Sequence, residues 1–400
     1  MARTLAQKIL ARASGRESVE IGDVVFAEPD LFELIDLVMP HYIKTLRENG
    51  VTRLRYPERC IVYEDHEVPA QSQRSAQLKK ELRATLAELG ITRVYRAGRH
   101  GISHQAIVEQ GHVTPGMLVI GPDTHLTTLG CVGAMAPPIN YEAVQALATG
   151  EIWMKVPETV RVNLVGRVRR GVMSRDVAQS LAAWLGAERC DYRAIEYGGP
   201  AAAAMDMDWR MTICNVMVDA SAKAGLFEPD AVTLDYLRGR SERPFEMVTS
   251  DPGCSYAETL EFDLDSVRPV VAAPPRPDNV KPVGAVAGIA VDQVYIGSCA
   301  GGRLEDLRAA AATIRGRRVH DDVRMIVVPT SQEIYAAASR EGLLATFVEA
   351  GAVVSAPACG PCYGNLAPLA EGEVCIGTGT TNIPGRMGSP KAEIYLANAV

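Results

Sequence analysis

Residues 291–314 read VDQVYIGSCAGGRLEDLRAAAATI. Val291, Val294, Tyr295 and Ile296 form an apolar run of the length a buried strand takes, and the glycines from Gly297 to Gly302 break it. Leu304 to Ile314 is rich in Ala, Leu, Glu and Arg, which favour helix. A strand passed through a glycine turn to a helix is the repeating unit of a parallel sheet covered by helices. The alternation continues with a strand at Met325 to Val328, a helix around Gln332 to Glu341, and Thr346 to Ser355 leading into Cys359. Upstream it runs through a strand at Cys60 to Tyr63, a long helix at Gln73 to Leu89 and a strand at Met117 to Ile120. Glu158 to Val168 begins a further unit, with Val160, Val162 and Leu164 alternating.

The chain therefore reads as an α/β protein of three α/β units with mostly parallel sheets. From Val267 to Val283, prolines at 269, 274, 275, 277 and 282 forbid a continuous helix or a central strand, which marks a linker. The expected division is 1–157, 158–282 and 283–400, with no internal repeat and no low-complexity segment.

A chain of 400 residues, 47% hydrophobic and 22% charged, is globular and too long for one compact core. A net charge of -7 argues against nucleic-acid binding, which needs clustered Lys and Arg. The longest uncharged run, Ala350 to Ala370, contains Pro357, Pro361 and Pro368 and makes a poor membrane helix. Arg3, Lys8, Arg12 and Arg16 precede the first acid, Glu17, as in an organelle transit peptide, yet Leu5, Ile9 and Leu10 equally form an amphipathic helix that packs on the fold. With no secretory signal, the expected compartment is the cytoplasm.

Nine scattered cysteines in so large a chain disfavour a disulfide framework. Cys359-Gly360-Pro361-Cys362 has ligand-like spacing, which suits one metal centre or a reversible disulfide. Cys299 sits on a glycine-rich loop before a helix, where backbone amides favour a thiolate or an anionic cluster. Three cysteines from two loops can hold an iron–sulfur cluster with one iron left open; the plainer alternative is a buried strand-end cysteine and a structural pair. Of seven histidines, His66 follows Asp65, His104 follows a glycine turn, and His125 follows Asp123, all at predicted strand ends where loops of α/β proteins carry sites. A carboxylate on one ring nitrogen fixes the tautomer and suits general acid work. Arg386, in a Pro/Gly-bounded loop after the cysteine pair, is a candidate carboxylate-binding group.

Together these residues resemble the aconitase superfamily, most closely its 3-isopropylmalate dehydratase large-subunit family. The similarity runs nearly end to end through TLAQKILARASG, YEDHEVPA, GISHQ, PGMLVIGPDTH, ALATGEIWMKVPETVRVNLVG, EYGGP, RMTICN, EPD, YIGSC with GR and EDL, CGPC and GRMG, in that order. The resemblance implies a [4Fe-4S] cluster on Cys299, Cys359 and Cys362, an iron–sulfur hydro-lyase, and reversible loss of water from a hydroxy di- or tricarboxylic acid. 2-Isopropylmalate to 3-isopropylmalate, in leucine biosynthesis, is the first expectation. It implies His66 with Asp65 as the acid, His104 with Asp123 and His125 with Glu196 as supporting pairs, and Arg386 as a carboxylate ligand, with Asn382, Thr381 and Arg303 as further substrate contacts. The family's base is a serine on a swivelling fourth domain. The chain reaches Val400 without a recognisable version of it, so a small partner subunit is expected to supply that serine.

This sequence departs from the family's pattern. Its usual Asn-Arg-Asn-Phe reads Thr380-Thr381-Asn382-Ile383, its usual Thr-Asn after the first cluster cysteine reads Ala300-Gly301, and Thr124 and Leu126 flank His125 in place of Ser and Thr. These departures leave two enzymatic readings open, the isopropylmalate enzyme and a paralogue for a smaller acid of the dimethylmalate, citraconate or maleate type, or one like homoaconitase. A thiol redox enzyme and a non-catalytic binding protein are the rivals from other classes.

Overall fold

The computed structural model describes residues 2–241 and 243–400. Among the described residues there are four sheets: a small antiparallel pair, Val24–Ala27 with Ile152–Lys155, and three larger sheets built mainly from parallel strands. The first of the three orders its strands Arg93–Tyr95, Cys60–Tyr63, Leu31–Ile35 and Val119–Ile120, all parallel. The second orders Glu258–Asp263, Thr159–Val165, Ala194–Gly198 and Ala224–Phe227, again parallel. The third has seven strands, and the five from Glu393–Leu396 through Val374–Gly377, Gln293–Ile296, Arg324–Val327 and Val353–Val354 are parallel. Every residue of Leu31–Ile35 and Cys60–Tyr63 is buried, as strands covered on both faces require.

The expected strands and helices are present within a few residues, including helices Gln73–Glu88, Leu304–Ile314 and Gln332–Arg340. Ser72 and Ser331 cap two of them, and the Asp306 carboxylate accepts the Arg303 N–H to start the third. The N-terminal basic stretch is a helix packed on the fold. Thr4 caps Leu5–Ala13 in a capping box with Gln7, and Leu5, Ile9 and Leu10 are buried. Among the described residues no helix is long and apolar enough to cross a membrane.

The proline-rich segment is not a free linker. Val270–Ala272 and Val280–Pro282 pair antiparallel and extend the third sheet, with Ala272 opposite Leu396. Its prolines flank Val270–Ala272 without entering it, so all three donors remain available for the ladder. The change of unit therefore falls between Asp263, the end of the second sheet, and Val270.

Two large cores each draw residues from the first two units, whereas the third unit packs around Leu307, Val327 and Phe347. Phe347 is fully buried there. Phe347→Ala should lower the unfolding free energy by about 3–5 kcal/mol in a denaturant titration, through lost burial and the cavity left behind.

Candidate active site

The residues with chemistry converge where the carboxyl ends of the first and third sheets meet, the usual ligand position in open α/β sheets. Asp36 follows Leu31–Ile35, Asp65 and His66 follow Cys60–Tyr63, and Asp123 and His125 follow Val119–Ile120. From the third sheet, Cys299 follows Gln293–Ile296, and Thr380 follows Val374–Gly377. His66, His104, Asp123, His125, Cys299, Cys359, Cys362, Thr380 and Arg386 line one pocket of about 100 Å³.

His66 is buried, and its Nδ1 lies 2.7 Å from Asp65 Oδ1. The other Asp65 oxygen accepts the Ser103 N–H at 2.9 Å, and the Asp65 carbonyl accepts the Cys359 N–H at 2.7 Å. The histidine pair and the cysteine loop are thereby tied across two units. Burial alone would lower the His66 imidazole, but Asp65 and the Cys359 thiol hold it well above its ordinary value. Behind it, Asp36 accepts the backbone N–H groups of Asp65 and His66 at 3.3 Å each and pairs with the buried Lys79. Asp36, Asp65 and His66 lie close enough to suggest a metal site, but these hydrogen bonds and the lysine already occupy their oxygens.

His104 Nδ1 stands 3.4 Å from Asp123 Oδ1, and Asp123 also accepts the His125 N–H at 2.8 Å. Burial lowers both imidazoles, His125 to about 3, so these two rings are neutral. Gly121 is required by close approach, because a Cβ there would lie 2.3 Å from the Glu33 carbonyl oxygen.

Cys299 is aimed by a strained turn. Ser298 has φ +72°, and its hydroxyl donates to the Thr378 carbonyl at 2.6 Å and accepts the Ala300 N–H at 3.1 Å. Thr378 packs so closely on Gly301 that a Cβ at 301 would lie 2.3 Å from its Cβ. The glycine at 301 and the threonine at 378 thus form a steric pair. His100 pins the other cysteine loop by donating from Nε2 to the Pro357 carbonyl at 2.6 Å.

All nine cysteines are free thiols. Buried and lining one pocket, the three thiols of Cys299, Cys359 and Cys362 fit an iron–sulfur centre. Burial pushes the Cys299 and Cys359 thiols up, so ligand binding would release their protons.

Four expected participants stand elsewhere. Glu196 does not meet His125; its carboxylate accepts the Leu5 N–H at 2.9 Å and the hydroxyls of Ser250 at 2.7 Å and Tyr256 at 3.1 Å. It caps the N-terminal helix from beneath. Arg303 is buried outside the pocket, donating to Gln105 at 2.9 Å and Thr212 at 2.7 Å, a brace across all three units. Asn382 donates to the Ala272 carbonyl at 3.3 Å, and neither it nor Thr381 lines the pocket. Arg386 does line it, with its guanidinium 5.4 Å from the Tyr363 ring centroid.

Sequence reasoning missed Asp36 and Lys79, which no local motif marks, and Asn215, whose side chain reaches the Cys299 thiol and donates to Thr128 at 2.9 Å. It also missed Ile35, Leu37 and Val38, an apolar wall facing the histidines.

Comparison with known proteins agrees with this arrangement. The aconitase family (aconitate hydratase) model matches residues 7–287 and 281–400. The 3-isopropylmalate dehydratase large subunit 1 of Methanopyrus kandleri is 43% identical over 100% of this chain and 95% of its own length. The Moorella thermoacetica 3-isopropylmalate dehydratase large subunit is 41% identical over 99% of this chain and 95% of its own. A probable methanogen homoaconitase large subunit of Methanothermobacter thermautotrophicus is 40% identical over 98% and 93%. With matches of this extent, the chain belongs to the aconitase family.

Proposed function

We propose that this chain is the large, catalytic subunit of a cytoplasmic iron–sulfur hydro-lyase that interconverts 2-isopropylmalate and 3-isopropylmalate. The observation that carries this reading is the convergence of three free thiols, the Asp65–His66 pair and Arg386 on one pocket with an apolar wall. A [4Fe-4S] cluster held by Cys299, Cys359 and Cys362 would supply a Lewis acid for the leaving hydroxyl.

The chain's own residues do the rest. Arg386 takes a substrate carboxylate, and its packing on Tyr363 fixes the guanidinium plane. Asp65 holds His66 Nδ1, which leaves Nε2 to deliver a proton to the departing oxygen. Neutral His104 and His125 frame Asp123 without adding positive charge. Ile35, Leu37 and Val38 take the alkyl branch and exclude water from it. The carbon-bound proton goes to a serine of a small swivelling partner subunit, consistent with relatives named as large subunits.

A second reading, a hydratase for a smaller hydroxy acid, is favoured by the placement of Thr381 and Asn382 outside the pocket, where Arg386 is left as the arginine lining it. The test is dehydration by the anaerobic chain with a candidate small subunit, followed by the ultraviolet absorbance of the conjugated product. The isopropylmalate reading expects that acid to exceed malate in kcat/KM by at least about 10–200-fold, the worth of a single methylene in an apolar pocket. Equal turnover of malate would select the smaller-acid reading. In the same assay, Arg386→Gln should cost about 10- to 100-fold, chiefly in KM, through loss of one charge-assisted contact.

A further inference from the structure

The antiparallel ribbon of Val24–Ala27 and Ile152–Lys155 has two strands only, and its two faces differ. Val25, Ala27, Ile152 and Met154 are buried in the core, whereas Val24, Phe26, Trp153 and Lys155 point outward. Phe26 sits directly opposite Trp153, and Val24 opposite Lys155. Phe26 is 58% exposed, Val24 55% and Trp153 50%. Ile21, on the turn that Gly22 ties to the Val156 carbonyl, adds another exposed apolar side chain at one end. A contiguous apolar face of this kind marks a contact surface, and its aromatic residues are the types that anchor one.

The place of the ribbon in the fold narrows the choice of occupant. Ala27 leads directly into Leu31–Ile35 and Lys155 into Thr159–Val165, so the ribbon lies at the amino ends of the first and second sheets. The cysteine pocket lies at the carboxyl ends of the first and third. A subunit that closes over that pocket leaves the ribbon uncovered.

The charges on the face select the occupant. Outward along one strand stand Glu151, Trp153 and Lys155, an acid, an aromatic ring and a base, all exposed. Among the described residues neither the Glu151 carboxylate nor the Lys155 ammonium has a partner. Glu28, at the acidic end, is already taken by Arg59 at 2.6 Å and Tyr56 at 2.9 Å. Two such strands laid face to face and antiparallel, about a two-fold axis at Trp153, set Glu151 of each copy against Lys155 of the other. A parallel arrangement would bring like-charged ends together. We propose that this ribbon is a self-docking surface through which two copies of the chain associate about a two-fold axis, with Phe26 and Trp153 at its centre and two Glu151–Lys155 pairs flanking them.

The test is sedimentation equilibrium of the full chain, purified anaerobically without a partner subunit, at low ionic strength. Twice the chain mass is expected at micromolar concentration. Trp153→Ser should weaken the dimer at least about 100-fold, as loss of a central tryptophan anchor does. Glu151→Lys and Lys155→Glu should each weaken it at least about tenfold by setting like charges together. The two changes combined should restore association, because the pairs re-form with their signs exchanged. All of these substitutions fall on exposed side chains and leave the fold in place. A chain that stays monomeric up to about 100 µM, a dimer indifferent to Trp153→Ser, or a charge exchange that fails to restore association overturns the proposal. Dissociation of the dimer by a candidate small subunit would give the ribbon to that partner and overturn it as well. Because mass is read without turnover, a failure here is separable from a failure of the isopropylmalate reading.

Discussion

Cys299→Ser should strip the chain of its iron. Anaerobically purified wild type is expected to carry about four irons and four sulfides, and the variant close to none. Serine keeps the shape of the loop but replaces a soft thiolate by a hydroxyl that does not ionise at neutral pH. The Ser298 turn that aims residue 299 depends on the hydroxyl of Ser298 and the carbonyl of Thr378, not on the thiol, so the loop itself should survive. Cys254→Ser is the control, at a partly exposed position outside the pocket, and should retain its iron. Full iron in Cys299→Ser would remove Cys299 from the ligand set. It would then favour a thiol redox pair at Cys359 and Cys362, whose function would not need Cys299.

What was legible in the sequence was whatever short-range pattern controls. The apolar run at 293–296, its glycine turn and the Ala-rich helix after it are local, and each appears where the pattern puts it. The same holds for histidines and acids at strand ends, because the end of a parallel strand fixes the position of the next few residues. Pairings between units were less legible. Glu196 ends up under the Leu5 N–H because the N-terminal helix packs across the second sheet, a contact of 191 residues' separation that no spacing encodes. Lys79 lies on a mostly polar helix and looks solvated, yet it is buried against Asp36. Phe26 and Trp153 come from strands far apart in the sequence and become one apolar face only when those strands pair. The resemblance marked Thr381 and Gly301 as departures, but only the packing of Thr378 on Gly301 gives one of them a physical reason.

His66→Ala should keep the iron and lose the reaction. With candidate small subunit and 2-isopropylmalate present, turnover is expected to fall by about two to four orders of magnitude, the usual worth of a positioned general acid. Iron should be retained because the cysteine loop is anchored to this region through the backbone carbonyl of Asp65, which accepts the Cys359 N–H and is untouched by a change at the His66 side chain. Asp65→Asn probes the same pair from the other side. The amide can still accept from Nδ1 through its oxygen, but it has no charge to hold the imidazolium and must give up either that contact or the Ser103 N–H. Its turnover should fall less than that of His66→Ala, and the loss should lie mainly in kcat, since neither group holds the substrate carboxylate. Iron and sulfide analysis on each variant separates a chemical defect from loss of the cluster. Unchanged turnover in His66→Ala with iron intact would take His66 out of the acid role, and would pass that role to another proton donor in the pocket or to the partner subunit.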